Sequence, residues 1–408
     1  MSVRKRKWTT RYGAPRTAWV VDYTDRDGSR CLETFDKKKN ADARHDEVRV
    51  DVRQGVHIAS RKSVTIKQAG ESWIKAAEAA GLERATIAQY RQHLDLHIDP
   101  FLGKVKLSDL NAAAVRKFAD QLREAEAPRS PALIRKVIVS LGSLIADAQE
   151  QGLAARNPVR DLHRGQQRGK KGRSEKRQKG KLKAGVDIPT PREIKGILAH
   201  VEGRWRPLLM TAVFTGLRAS ELRGLRWRDL DLKQGVVHVR QRADRYNELG
   251  PPKSEAGERT IPLPPELGNT LRELHLLTGR PKGDTLVFPN GAGNVESLAN
   301  IINRGFVPPQ IKASVSVAVI DKAGKPVFDD EGRPVVKPKY TGLHALRHFY
   351  ASWCINRHKD GGLELPPKLV QQRLGHSSIV MTMDRYGHLF PTGDDGAELA
   401  DAEKALLC

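Results

Sequence analysis

The segment TGLRASELRGLRWRDLDL, residues 215–232, carries the clearest chemical signal in the chain. Arg218 stands just after Gly216, at the expected start of a helix. There its guanidinium donors and the free backbone N–H groups of the first helical turn could meet the same anion. The segment therefore predicts an anion site at a helix start.

Two later segments add histidines, a second arginine and a tyrosine. HALRHFYAS places His344 and Arg347 three residues apart, so an imidazole and a guanidinium share one helix face. LGHSSIVMTMDRYGHLF offers His376 after a helix end made by glycine, and Tyr386 before another glycine. Singly, each residue has an ordinary structural explanation, such as a surface arginine or a hydrogen-bonded histidine. The functional interpretation depends on their occurring together, in this order along the chain.

In this order the segments resemble the lambda-integrase-like tyrosine recombinases, DNA strand-transfer enzymes that include the phage integrases. The first segment resembles the family's first arginine box, and PPKSEAGERTIPL resembles the hairpin that presents the catalytic lysine. HALRHFYAS resembles the HxxR box, and the last segment resembles the box that holds the nucleophile. The resemblance implies that Glu221 supports the first arginine. The catalytic residues that it implies are Arg218, Lys253, His344, Arg347, His376 and the nucleophile Tyr386.

Phosphodiester chemistry explains why these residue types belong together. A free phenol has a pKa of about 10, so a tyrosine must be activated to attack phosphorus at neutral pH. Arginine forks stay charged and hold the non-bridging oxygens while negative charge develops on them. His344 is predicted to act as general base or phosphate donor, His376 as a further donor, and Lys253 as the acid for the departing 5′ oxygen. The 3′-phosphotyrosyl product stores the bond energy, so rejoining needs neither ATP nor metal.

The net charge of +23, from 71 Lys and Arg against 48 Asp and Glu, favours an anionic partner. Nucleic acid is favoured over a membrane surface, because the basic runs lack the apolar face of a membrane-binding helix. Much of the excess lies in residues 1–16 and 164–183, which can follow phosphates and make affinity steeply salt-dependent. The predicted DNA-binding residues are Arg4, Lys5, Arg6, Lys7, Arg11, Lys170, Lys171, Arg173, Lys176, Arg177 and Lys179.

Other features argue against a secreted, membrane or cofactor-dependent protein. Three scattered cysteines without a CxxC motif suit the reducing cytoplasm of a bacterial host. The chain has no signal-peptide pattern and no apolar run of spanning length. It has no Walker A, GxGxxG or GxSxG motif, and the pairs His93/His97 and His344/His348 lack the glutamate of HExxH. We therefore expect no cofactor and no metal.

The fold is predicted to be multidomain α+β. Residues 1–58 form an arm-type DNA-binding domain, with a hairpin around Asp27-Gly28 and a following helix. Residues 64–162 form a helical, SAM-like core-binding domain of four helices, the second ending at Asp99-Pro100. A basic linker, 163–185, precedes a mostly helical catalytic domain, 186–408, with a small antiparallel sheet. Residues 311–340 are an insertion with extra strands, whose role stays open.

The resemblance also implies partners and leaves alternatives. It implies double-stranded DNA attachment sites, a homotetramer on DNA, and accessory bending or directionality proteins as further partners. The tail shows a helical pattern at Leu399, Ala402 and Leu406 and is predicted to dock on a neighbouring subunit. The lead hypothesis is a phage or mobile-element integrase that integrates and excises DNA. The alternatives are a chromosome-dimer-resolving recombinase, a non-catalytic DNA-binding regulator on the same scaffold and a relaxing topoisomerase.

Overall fold

The computed structural model describes residues 1–11, 13–24, 28–53, 63–125, 127–160, 181–321, 324–391 and 395–407. The chain divides into two compact units, Met1–Ser174 and Glu175–Cys408. Helices and small antiparallel sheets occur in both, which confirms the predicted α+β class. Most of the predicted linker lies outside the described residues, and with it Lys170, Lys171, Arg173, Lys176, Arg177 and Lys179.

The first unit begins with a three-stranded antiparallel sheet in the order β1-β2-β3, followed by a helix. The elements are β1 (Ser2–Thr9), β2 (Pro15–Thr24), β3 (Arg30–Phe35) and α1 (Lys38–Arg53). Val21 and Tyr23 of β2 are buried against Ala41 and Val48 of α1. The predicted hairpin corresponds to β2 and β3, although Asp27 of its turn lies outside the described residues. The basic N-terminal segment is itself an edge strand, which the sequence did not predict.

The rest of the first unit is helical and centres on one apolar core. Its helices are α2 (Ile66–Ala79), α3 (Arg84–His93), α4 (Asp99–Leu102), α5 (Ala112–Glu124) and α6 (Pro131–Glu150). Thr65 begins α2 through a capping box with Gln68. His93 is buried with its Nδ1 2.8 Å from Ser140 Oγ, so it ties α3 to α6.

The predicted helix end at Asp99-Pro100 was wrong. The helix passes from α3 through a π-helical turn, Leu94–Ile98, into α4. Asp99 donates its N–H to the carbonyl of Leu94, five residues back. This turn restarts the helix just ahead of Pro100, which therefore occupies a first-turn position where its missing N–H is not needed.

The second unit is mostly helical around a larger core. Its helices are α7 (Pro191–His200), α8 (Trp205–Thr215), α9 (Ala219–Arg223), α10 (Pro265–Leu277), α11 (Leu298–Asn300), α12 (Val307–Lys312), α13 (His344–Ile355), α14 (Pro367–Leu374), α15 (Ile379–Tyr386) and α16 (Asp395–Leu407). Thr190 and Glu193 form a capping box at the start of α7. Among the described residues, no helix has the length and apolarity needed to cross a membrane.

The second unit also holds small antiparallel sheets. One has the order β4-β5-β8, from strands β4 (Leu230–Asp231), β5 (Val236–Val239) and β8 (Arg259–Pro262). Strands β6 (Arg242–Ala243) and β7 (Leu249–Gly250) pair in the connection between β5 and β8. In the β5–β8 pairing, Val237 lies opposite Ile261. This sheet carries Arg259 towards the site described below.

The insertion before α13 contains the predicted extra strands, β9 (Ser316–Ala318) and β10 (Val336–Pro338). Its base is fixed by Gln310, which is fully buried. The Gln310 amide donates to the carbonyl of Tyr340 and accepts from the N–H of the same residue. Tyr340 in turn donates its hydroxyl to Glu193 of the α7 capping box. The start of α13 is therefore held at a defined place.

Candidate active site

Arg218 stands at the N-cap of α9, directly after the turn that ends α8. Gly216 makes this turn with φ of 60°, and a Cβ there would lie 2.3 Å from the ring of Tyr350. Only glycine suits that position, because both the backbone conformation and the space exclude a side chain. The tight turn brings Arg218 to the helix start, where its side chain stays 36% exposed. Its guanidinium donates a 2.8 Å hydrogen bond to the carbonyl of Gly375, which follows α14.

Glu221 is the anchor of two arginines. It is 3% exposed and accepts hydrogen bonds from the backbone N–H and guanidinium of Arg218 at 2.8 and 2.7 Å. Arg259 of β8 donates to both oxygens of the same carboxylate, at 2.8 and 3.1 Å. Burial alone would raise the pKa of Glu221, but the two arginines lower this pKa to about 2. The carboxylate is therefore charged at neutral pH and fixes Arg218 in place.

Arg347 of α13 is 2% exposed and lies at the base of the site. Its guanidinium donates to the carbonyls of Gly216 and Leu374, at 2.7 and 2.5 Å. Burial, reinforced by the neighbouring charge of Arg218, lowers the pKa of Arg347 to about 9. The side chain is still cationic at neutral pH, and a bound anion would offset the cost of its burial.

Two predicted histidines lie near these arginines in neutral form. Burial and the charge of Arg347 lower the pKa of His344, and the same causes lower that of His376 to about 4. His376 follows the end of α14, and its Nδ1 lies 2.9 Å from Thr382 Oγ1. That contact fixes the orientation of the ring.

Tyr386 ends α15 and is 2% exposed. Its ring lies parallel to that of His376, with centroids 6.3 Å apart. Burial raises the pKa of Tyr386 to about 12, partly offset by Arg347 and Arg385, so the phenol is protonated at neutral pH. Its hydroxyl oxygen lies 2.7 Å from Nδ1 of His348. The predicted nucleophile is therefore paired with a histidine that the sequence did not single out for this role.

A cleft of about 400 Å³ joins these groups. It is lined by Arg218, His344, Arg347, His376, Met381, Asp384, Arg385 and Tyr386. Arginines, imidazoles and a phenol thus share one basic depression, which suits a phosphodiester with its two non-bridging oxygens. Five of the six predicted catalytic residues meet here, and the predicted role of Glu221 as support for Arg218 agrees with its contacts.

Lys253, the sixth, does not line the cleft. It lies exposed in the loop between β7 and β8, outside the regular strands. The neighbouring Arg259 comes from the same motif and was not predicted, yet it reaches Glu221. The alternating pattern of ERTIPL is the sequence feature that could have indicated Arg259, because every second side chain of a strand points to the same face of the sheet.

The predicted basic residues of the arm lie on or beside β1. Arg4, Lys5, Arg6 and Lys7 are exposed strand residues, and Arg11 follows in the turn. Arg4 forms an ion pair of 3.1 Å with Asp22 on β2. Arg6 lies over the partly exposed ring of Trp8, 6.0 Å from its centroid. The strand thus presents a cationic surface with an aromatic ring in it.

The site brings two arginines, two imidazoles and a buried phenol into one cleft, a set that suits a class of enzyme acting on phosphodiesters. Comparisons with known proteins agree. A model described as "Phage integrase family" matches residues 189–392, and one described as "Phage integrase, N-terminal SAM-like domain" matches residues 65–123. The chain belongs to the phage integrase family and is a tyrosine recombinase, an enzyme that cleaves and joins DNA strands.

Individual relatives fit this assignment. "Tyrosine recombinase XerC-like" of Caldanaerobacter subterraneus subsp. tengcongensis is 26% identical over 369 residues, 87% of this chain and 86% of that protein. "Prophage integrase IntR" of Escherichia coli strain K12 is 24% identical over 273 residues, 66% of this chain and 60% of that protein. The fold is similar to that in the crystal structure of a lambda integrase tetramer bound to a Holliday junction. That match has a TM-score of 0.52 and 16% identity, and it covers 95% of this chain and 96% of the other.

Proposed function

We propose that this recombinase is a site-specific integrase of a phage or mobile element, and that Tyr386 attacks DNA in the basic cleft. The observation that carries the proposal is the meeting of Arg218, Arg347, His344 and His376 with that tyrosine in one depression. Such a set can hold a phosphodiester through its oxygens and offer it a phenol as nucleophile. The established family makes DNA the substrate; the geometry supports these residues as the ones that act on it.

The reaction follows from the roles of the groups. Arg218 and Arg347 hold the two non-bridging oxygens of the scissile phosphate, with His344 and His376 as further donors. Tyr386 Oη gives up its proton and forms a bond to phosphorus, the bond from phosphorus to the 5′ oxygen breaks, and that oxygen takes up a proton. The DNA 3′ end stays on the enzyme as a phosphotyrosyl ester. Attack by a 5′ hydroxyl of another strand reverses each step and joins the new strand.

Lys253 is proposed as the acid that protonates the departing 5′ oxygen. Its loop is exposed, so the ammonium can approach DNA laid over the cleft. A substrate whose 5′-bridging oxygen is replaced by sulfur tests this, because a thiolate leaves without needing a proton. Lys253→Ala should cut the normal substrate slowly and the sulfur substrate at nearly the wild-type rate. Equal slowing on both substrates would contradict the role.

Affinity and assembly are proposed to depend on parts outside the cleft. Exposed cations of β1 suit phosphate contacts of an arm-type domain, and the basic linker is proposed to follow the DNA backbone. We infer that a homotetramer of this chain binds the attachment sites, with accessory bending or directionality proteins setting the direction; the lambda integrase structure holds a tetramer on a Holliday junction. Helix α16 exposes Leu399 and Leu406, which suits docking on a neighbouring subunit. Removing residues 392–408 should weaken cooperative binding and alter the regulation of cleavage.

A nicked suicide substrate tests the central step, because loss of a short 5′ fragment traps the covalent adduct. Wild-type protein should accumulate a DNA–protein adduct that resists denaturation, and Tyr386→Phe should form none. Tyr340→Phe is the matched control, since Tyr340 is also buried and hydrogen-bonded but anchors the insertion. Adduct formation by Tyr386→Phe would refute the proposal.

A requirement for the arm distinguishes an integrase from a chromosome-dimer-resolving recombinase, the alternative that the XerC-like relative suggests. An integrase should need the β1–β3 sheet to recombine its attachment sites but not to cut a core site. Deleting residues 1–55 should therefore abolish integration and leave suicide-substrate cleavage. Full recombination by the truncated protein would favour the alternative.

A further inference from the structure

His348 is a buried histidine that the predicted catalytic set leaves out, although it touches the reacting oxygen. Its Nδ1 lies 2.7 Å from Tyr386 Oη, and the two rings meet edge to face with centroids 5.8 Å apart. His344 lines the cleft one helical turn earlier on α13, and its ring centroid is 4.6 Å from that of His348. The two histidines therefore have different neighbours: His344 faces the space for phosphate, and His348 faces the nucleophile.

Burial and the groups around His348 keep its imidazole neutral. Burial is the main cause, followed by His344, Arg385 and Arg347, and together they lower the pKa of His348 to about 3, against a small opposite effect of Asp187. A neutral imidazole with its proton on Nε2 leaves the Nδ1 lone pair free to accept a hydrogen bond. The phenol is protonated, as its raised pKa requires, so it has a proton to donate.

We propose that His348 is the general base of this recombinase, holding Tyr386 Oη by accepting its hydrogen bond and taking its proton during the attack on phosphorus. This inference rests on the proposed function, since it assigns a base to the nucleophile named there. As Oη bonds to phosphorus, its proton passes to Nδ1, giving an imidazolium while the 5′ oxygen leaves with a proton from an acid. In the joining step the imidazolium returns that proton to Oη as the phosphotyrosyl bond breaks.

Bound DNA makes the transfer of the phenol proton to His348 more favourable. A phosphate between Arg218, Arg347 and His344 places negative charge next to His348 and offsets the cations that now disfavour its protonation. The 2.7 Å contact is within the range for general-base catalysis, which contributes about 10² to 10⁴-fold to a rate. His344 is then left to donate to a phosphate oxygen, the other of the two roles expected of it.

Single-turnover cleavage of the suicide substrate by His348→Asn and His348→Ala tests the proposal. Asparagine can accept the phenol hydrogen bond but cannot take its proton, so both variants should cut about 10²-fold more slowly or worse. Their rates should rise with pH through the neutral range, because hydroxide must replace the base, whereas the wild-type rate should stay flat. Imidazole added to the alanine variant should restore part of the rate.

His238→Asn is the matched control, since His238 Nδ1 makes a similar 2.8 Å contact to a hydroxyl, that of Thr260, away from the cleft on β5. Thermal unfolding and core-site binding establish that each variant is folded. A His348→Asn protein that cleaves within threefold of wild type, with the same pH profile, would overturn the proposal. Absence of any adduct with the wild-type protein would instead overturn the proposed function, so the two failures are distinguishable.

Discussion

Replacing Glu221 with glutamine removes the charge that holds two arginines in the site while keeping nearly the same shape. Glu221 accepts hydrogen bonds from Arg218 and Arg259, and the Arg259 side chain is only 5% exposed. The variant would leave that guanidinium buried beside a neutral amide. Breaking a buried ion pair by changing one partner costs about 3 to 5 kcal/mol.

The lowered pKa of Glu221 gives a second value for the stability that its charge contributes. It falls from the ordinary 4.5 to about 2, which corresponds to about 3 kcal/mol of stability at neutral pH. Because the folded-state pKa is the lower one, this contribution is complete above about pH 4.5 and is lost as the pH falls towards 2. A measurement at pH 7 therefore reports all of it.

Urea unfolding of the wild type and of Glu221→Gln at pH 7 is the assay, read by the free energy of unfolding of the second unit. We expect a loss of about 3 kcal/mol, and slower suicide-substrate cleavage because Arg218 is no longer held. Glu331→Gln is the control, since its ion pair with Arg333 is exposed and should contribute less than about 1 kcal/mol. A Glu221→Gln protein as stable as the control variant would refute the reasoning.

Three further predictions concern the turn, the buried arginine and the arm. Gly216→Ala should lose more than about 2 kcal/mol of stability, because its Cβ would meet the ring of Tyr350. Gly279→Ala is the control, since Gly279 also has a positive φ but open space around it, and it should lose less. Thermal unfolding of the two variants compares these losses. Arg347→Lys should keep near-normal DNA binding but reduce single-turnover cleavage about 10²-fold. The reason is that an ammonium group lacks the planar fork that holds two carbonyls and a phosphate at once. Cleavage within fivefold of wild type would contradict this. Changing the four basic residues of β1 to glutamine should lower the slope of log affinity against log salt by up to about 3.6 on arm-site DNA and leave core-site cleavage unchanged. An unchanged slope would show that β1 does not contact phosphate.

The predicted site residues that the fold brings together are those whose spacing alone sets a shared position. His344 and Arg347 are one helical turn apart, so any helix there brings both to one face. Arg218 follows a glycine that only a tight turn explains, and Tyr386 precedes another glycine at a helix end. Such local patterns set the positions of these residues without contacts between distant segments.

The residues that it missed depend on contacts between distant segments. In the sequence, the spacing of His348 suggests only a metal-ligand pair with His344, because nothing local connects it to a tyrosine 38 residues later. Arg259 lies 38 residues from Glu221, and only the β5–β8 pairing brings it there. The basic residues of β1 indicate a charged arm but not a strand, since the strand forms only by pairing with β2. The π turn before Pro100 likewise has no marker in the local sequence.

Mass spectrometry of the trapped adduct tests the central claim most directly. After cleavage of a suicide substrate, nuclease and protease digestion should leave one peptide carrying a nucleotide 3′-phosphate, and fragmentation should locate it on Tyr386. A linkage on any other residue, or no covalent linkage while the DNA is cut, would contradict the account of this site.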